Sequence, residues 1–200
     1  MTSSAREHQR DRARTLVRWT IGWNALEAVV ALAAGISAGS IALVGFGLDA
    51  LVEFAAAAVA LWYLAGAAHE RERIAQRLIA LSFGGLAVYV TVDAIRHLVT
   101  ATHPDSSVPG LAIAGASLVV MPVLAVSKRR LAVTLGSATL AAEAAETALC
   151  AWLSAVLLLG LTLRLAAGWW WADPAAGLVI AALAVREGIE AWRVDEPDEP

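Results

Sequence analysis

The chain has 200 residues, 59% of them hydrophobic and 16% charged, with a formal net charge of -3 and a mean hydropathy of +0.66. That balance defines an integral membrane protein and excludes a disordered one. The single cysteine, Cys150, rules out a disulfide framework, and an acidic chain whose basic residues only flank apolar segments excludes nucleic-acid binding.

Residues 1–15 form a polar, arginine-rich arm without the short apolar stretch and small-residue cleavage site of a signal peptide, so the first hydrophobic segment is expected to stay as an anchor. A spanning helix needs about 20 mostly apolar residues. The runs between charged clusters predict an all-α polytopic bundle of six transmembrane helices within 16–193, at 16–37, 41–68, 74–99, 109–127, 137–163 and 172–192. The tail 194–200 is acidic and is read as cytoplasmic. Gly35, Ser37, Gly39 and Ser40 mark a tight turn between the first two spans, although five helices with one long re-entrant pair also fit this stretch.

Basic residues of short flanking segments are retained in the cytoplasm. With the N-terminus inside, Arg6, Arg10, Arg12, Arg14, Arg18, Arg71, Arg73, Arg77, Lys128, Arg129, Arg130, Arg186 and Arg193 fall on the inner side, against Arg96 and Arg164 outside. Both termini are therefore expected in the cytoplasm, the protein in a bacterial inner membrane, and Arg71, Arg73 and Lys128 to Arg130 beside anionic headgroups. Trp19, Trp23 and Trp192 suit the inner interface, and Trp169, Trp170 and Trp171 the outer one.

Carboxylates inside spanning helices cost about 2.5 to 3.5 kcal/mol each on insertion scales, so they face a cavity or a partner. Glu27, Asp49, Glu53, Asp93, Glu143, Glu146 and Asp173 all fall in the predicted spans, with no lysine or buried arginine expected near the central ones. Asp49 and Glu53 share one face of the second helix, and Thr139, Glu143, Glu146, Thr147, Cys150 and Ser154 make a polar stripe along the fifth. At a rise of about 1.5 Å per residue, Asp49 and Glu53 lie roughly 18 and 12 Å from the inner face, and Glu146 and Cys150 roughly 15 and 21 Å. Asn24 and Glu27 of the first helix reach a similar depth. Facing carboxylates at low dielectric must take up protons or share a cation. Oxygens alone suit Mg²⁺, Mn²⁺ or Ca²⁺, whereas the Cys150 thiolate shifts preference toward Zn²⁺, Fe²⁺ or Cd²⁺.

The order of these residues resembles the cation diffusion facilitator (cation efflux) family. Asn24, the turn Ser37-Ala38-Gly39-Ser40-Ile41-Ala42-Leu43 and the segment Gly47-Leu48-Asp49-Ala50-Leu51-Val52-Glu53 look like its first-helix asparagine, its small-residue turn and its second-helix ligand pair. In Leu140-Ala141-Ala142-Glu143-Ala144-Ala145-Glu146 through Cys150, Glu146 falls at the family's histidine, Cys150 at its aspartate and Glu143 at the preceding acid. Trp171-Ala172-Asp173-Pro174 looks like the opening of its sixth helix. The resemblance implies a secondary transporter, not an enzyme, that exports a divalent transition-metal cation by proton antiport. Zinc is favoured, with iron, manganese, cobalt and cadmium as alternatives. The implied ligands are Asp49, Glu53, Glu146 and Cys150, with Asn24, Glu27 and Glu143 orienting them or relaying protons. The partners are the metal ion, protons, the lipid bilayer and a possible second copy in a homodimer, with no prosthetic group. Two departures stand out: the fifth-helix histidine is absent, and so is the family's cytoplasmic C-terminal domain, as in a minimal branch with the transmembrane domain only.

A non-transporting metal-binding or scaffold protein with protonated buried acids is the alternative. An organic-cation carrier would want more aromatics than Phe46, Phe54 and Trp152, and Cys150 or Ser154 as a nucleophile would lack a histidine base at its depth. Asp93, His97, His103, Asp105 and Asp173 form a conceivable outer vestibule. Asp173-Pro174 reads as a helix cap, and Glu187 and Glu190 read as surface ion pairs with Arg186 and Arg193.

Overall fold

The computed structural model describes residues 3–63, 69–105, 107–136 and 138–193. The tail 194–200 and residues 64–68 at the end of the predicted second span lie outside the described residues, as do the side chains of Arg6, Arg10, His69, Arg71, Arg73, Thr139 and Arg193.

Six helices follow one another: α1 (Ser3–Ala38), α2 (Ile41–Tyr63), α3 (His69–Thr100), α4 (Val108–Leu135), α5 (Ala138–Ala167) and α6 (Ala172–Arg193). The first helix begins inside the predicted arm, where Ala, Arg, Glu and Gln are strong helix formers. Gly39 then takes the left-handed conformation (φ 63°), which ends α1 and separates it from α2. The fourth helix runs past its predicted end at 127 to Leu135, because Lys128 is taken into the protein instead of marking a water interface.

Among the described residues, four helical segments are long and apolar enough to cross a membrane: Asp11–Ala38, Ile41–Ala58, Val108–Leu135 and Glu143–Ala167. The third and sixth helices carry more charge, including Asp93 and Arg96 on one and Asp173, Arg186, Glu187 and Glu190 on the other. Their outward faces are nonetheless apolar, with Val88, Val92 and Val99 on α3 and Val179, Val185 and Ile189 on α6 exposed. The bundle encloses polar groups within an apolar interior and is apolar outside, since Asn24, Glu27, Asp49, Glu53 and Lys128 are buried while Val29, Ile36, Val119 and Leu159 face outward. This arrangement suits lipid as the surrounding medium.

The second helix lies at the centre, packed against α1, α3, α5 and α6, while α4 pairs with α5 and α3 with α6. One apolar core joins Leu43 and Phe46 to Met121, Leu153, Leu157 and Ile180. A second joins Ile41 to Phe83, Leu86, Val90 and Ala181. In lipid, close backbone approach at small residues holds helices together. A Cβ on Gly47 would stand 2.9 Å from the backbone nitrogen of Leu32, and one on Gly35 would stand 2.8 Å from that of Val44. Neither backbone can yield without parting α1 from α2. Gly47→Ala is expected to lower stability by about 1 to 3 kcal/mol, the usual range for overpacking, read as a lower unfolding midpoint in detergent.

The connections at 39–40, 101–105 and 168–171 meet at one end of the bundle, here called the turn end, and the described ends Ser3 of α1 and Arg193 of α6 lie toward the other. The Asp105 amide donates to the Ala38 carbonyl at 2.8 Å, and Arg164 Nε donates to the Pro104 carbonyl at 2.9 Å. Asp173, fully buried, accepts from the Ile41 amide at 3.0 Å through Oδ2 and from the Ser40 hydroxyl through Oδ1. Asp173 therefore caps α2, not its own helix as the sequence suggested, and ties the first turns of α2 and α6 together.

Candidate metal site at the centre of the bundle

Asp49 and Glu53 occupy successive turns of α2 and face α5, where Cys150 lies on the buried stripe that also holds Thr147 and Ser154. The hydroxyls of that stripe are satisfied within their own helix, with Thr147 donating to the Glu143 carbonyl and Ser154 to the Cys150 carbonyl, each at 2.8 Å. They leave the thiol and the acids free to face α2. One ligand atom from each of Asp49, Glu53 and Cys150 lies within 4.8 Å of the other two. Asp49 is 3% exposed, Glu53 8% and Cys150 0%. Glu146 stands outside that trio but lines the same small cavity beside Asp49 and Glu53.

Residues of α1 complete the surroundings. Asn24 Nδ2 donates to Glu53 Oε2 at 3.2 Å, which fixes the carboxylate from behind. Glu27 accepts from the Ser117 hydroxyl at 2.5 Å, and Ser117 in turn accepts from Trp23 Nε1 at 3.0 Å. Trp23 is thus part of a buried relay to Glu27, unlike the exposed Trp19 and Trp192. Glu143 faces away from the cavity, toward Lys128.

Lys128 is the main departure from expectation. Its side chain is fully buried, and its ammonium donates to Glu143 Oε2 at 3.0 Å and to Thr147 Oγ1 at 2.9 Å. A lysine therefore does neutralise one of the intramembrane acids, and its partner is a carboxylate, not a headgroup. Arg129 and Arg130 stay exposed.

Among the described residues lining the cavity beside Asp49 and Glu53, none is a lysine or an arginine. Asp49 Oδ2, Glu27 Oε2, Asn24 Oδ1 and Glu187 Oε1 are buried without a hydrogen-bond partner. Glu187 is the residue that sequence reasoning missed: it lines the cavity with Asp49, Glu53 and Glu146, while Arg186 bonds to Glu190 at 2.8 Å. Among the described residues, the outer acids and histidines bring no three ligand atoms together. Asp173 is spent on the α2 cap, His97 Nε2 lies 3.6 Å from Asp93, and His103 stacks on Trp170 at 5.7 Å between ring centroids.

Buried oxygens without donors and a thiol at their side are a composition suited to a cation. Fold and site together define a helical integral membrane protein with a polar centre of this kind. Residues 19–193 match the family described as the cation efflux transmembrane domain, and the chain belongs to that family, whose members transport metal cations across membranes. Comparison with individually curated proteins finds no match.

Proposed function

We propose that this protein exports a divalent transition-metal cation, with zinc as the favoured cargo, in exchange for protons. The observation that carries this reading is the convergence of Asp49, Glu53 and Cys150 within 4.8 Å. Two carboxylates and a thiolate neutralise a divalent ion and match the borderline softness of Zn²⁺ or Cd²⁺ better than that of Mg²⁺. Glu146 at the cavity wall supplies a fourth ligand as the ion moves, and Asn24 and Glu27 orient the set and pass protons. All six helices cross the membrane with both termini in the cytoplasm, which places exposed Arg12, Arg14, Arg18, Arg77, Arg129, Arg130 and Arg186 on the inner side.

Coupling follows from the ligands themselves. Carboxylates and a thiol bind metal only after losing protons, so cytoplasmic metal displaces protons and external protons release the metal. Alternating access around this centre completes the cycle. The test is proton flux in proteoliposomes holding purified protein and an internal pH dye, challenged in turn with Zn²⁺, Cd²⁺, Fe²⁺, Co²⁺ and Mn²⁺. Zn²⁺ and Cd²⁺ are expected to move protons against the metal gradient. A preparation in which none of the ions moves protons would overturn the exchange.

A further inference from the structure

We infer that the groove between α4 and α5, at the end of the bundle opposite the turn end, is a binding site for one anionic glycerophospholipid. Arg129 holds the phosphate, and an acyl chain lies along the alanine face of α5. This goes beyond metal movement and does not depend on it.

The groove follows from the sequences of the two helices. Ala141, Ala144, Ala145 and Ala148 recur along α5 at a spacing of three to four residues, so nothing longer than a methyl group rises from that side. Ala125 and Ala132 do the same on α4, while Val126 and Val133, 50% and 80% exposed, stand at the rim. The space between the helices amounts to about 610 Å³. Ala141 and Ala145 are exposed, so the groove opens on the outside of the bundle, where the spans meet lipid. From Ala125 to Gly136 it follows α4 for roughly 16 Å, close to the depth of one leaflet in a hydrocarbon core about 30 Å thick. In a bilayer, such a space fills with hydrocarbon.

Charge distinguishes this lipid from the others around the protein. Arg129 lines the groove and is exposed. The fourth helix contains no acid, and both acids of the fifth turn away: Glu143 is bonded to Lys128 inside the bundle, and Glu146 lines the cavity with Asp49 and Glu53. Lys128 and Arg129 thus serve opposite sides of α4, and the inward one takes the carboxylate. Among the described residues, no acid forms an ion pair with Arg129. The 28 residues of α4 extend about 42 Å, more than the core is thick, and Arg129 lies roughly 9 Å before Leu135. That places it near the headgroup boundary, where a guanidinium meets a phosphate through two parallel N–H bonds.

A cation at the boundary and an apolar groove one leaflet deep match the two ends of an anionic lipid. A zwitterionic lipid brings its own ammonium and gains less from Arg129. A second copy of this chain would have to bring an acid to Arg129, yet Asp11, Asp93 and Glu190 on the outside of the bundle already lie within 4.0 Å of an arginine of their own helix.

The experiment is native mass spectrometry of the purified full-length protein in detergent, titrated with phosphatidylglycerol or with phosphatidylcholine of identical acyl composition. Wild type is expected to hold its first phosphatidylglycerol about fivefold more tightly than phosphatidylcholine, the effect of one basic residue on an anionic headgroup. Arg129→Gln is expected to erase that preference, and Arg129→Lys to keep part of it. Arg130→Gln, at the exposed neighbour that does not line the groove, is expected to retain it in full. Ala145→Leu fills the groove from an exposed position and is expected to weaken both lipids about fourfold or more. Equal affinity of wild type for the two lipids overturns the site, as does a preference lost equally in Arg130→Gln, which would mean diffuse attraction. Unchanged binding in Ala145→Leu overturns the groove as the seat of the acyl chain. A dimer that Ala145→Leu dissociates, with phosphatidylglycerol binding unaltered, assigns the groove to a second copy and overturns the lipid.

Discussion

Asp49→Asn is expected to abolish metal-driven proton flux and to weaken Zn²⁺ binding by about 100-fold, the upper range for disturbing a metal centre. The substitution keeps the shape of the side chain and removes the charge that balances the ion. It also removes a buried carboxylate whose Oδ2 has no donor, so the apo protein is expected to be at least as stable as wild type. Lost binding with an unchanged or raised unfolding midpoint therefore assigns Asp49 to the cargo and not to the scaffold. Glu53→Gln should behave similarly, with less gain in stability because Asn24 already donates to Glu53. Cys150→Ser is expected to keep a weaker site whose preference moves from Zn²⁺ and Cd²⁺ toward Mn²⁺. The pH dependence has one sign: each ligand must lose a proton to bind, so Zn²⁺ affinity falls as pH falls, and titration calorimetry at several pH values should show protons released on binding. Zn²⁺ binding by Asp49→Asn at wild-type affinity would remove this residue from the site.

Lys128→Met is expected to destabilise the protein by about 3 to 5 kcal/mol, because it strands the Glu143 carboxylate inside the bundle without its cation. The pair is fully enclosed, with Lys128 at 0% exposure and the ammonium 3.0 Å from Glu143. Replacing both partners, as Lys128→Met with Glu143→Leu, removes the stranded charge and should recover most of the loss. The difference between the double variant and the sum of the single ones measures the coupling, and unfolding midpoints in detergent supply it. A single variant that melts like wild type would show that water or lipid reaches Glu143. Zn²⁺ affinity is a separate readout, since Glu143 faces Lys128 and not the cavity.

The contrast between these two sites explains how much of the protein was legible in its sequence. Asp49, Glu53 and Cys150 were found because spacing of three to four residues fixes a helix face and the rise per residue fixes depth, so two antiparallel helices suffice to predict a meeting point. The six helices followed from apolar runs and turn residues in the same way, whereas α3 and α6 are too charged for hydropathy alone to settle their crossing. Lys128 was misplaced because it opens a run of three basic residues. Which of Lys128, Arg129 and Arg130 turns inward depends on how α4 is rotated against α5, and that rotation is a packing result. Glu187 was hidden by its neighbours, since Arg186 and Glu190 offered an ion pair that does form but leaves Glu187 out. The depth arithmetic used for α2, applied to α6, would have found it. Asp173 was read as a local cap because its partners, Ser40 and Ile41, are more than 130 positions away in the chain.

The enclosure of Lys128 also gives the protein a property of practical use. Its basic residues are fourteen arginines and one lysine. The only side-chain amine is thus sealed between α4 and α5, held by Glu143 and Thr147. Acylating reagents that are inert toward guanidinium groups find no lysine to modify while these helices stay together, and one when they part. The rate of lysine acylation, followed by mass, is therefore a built-in clock for the opening of this helix pair, with no engineered label required.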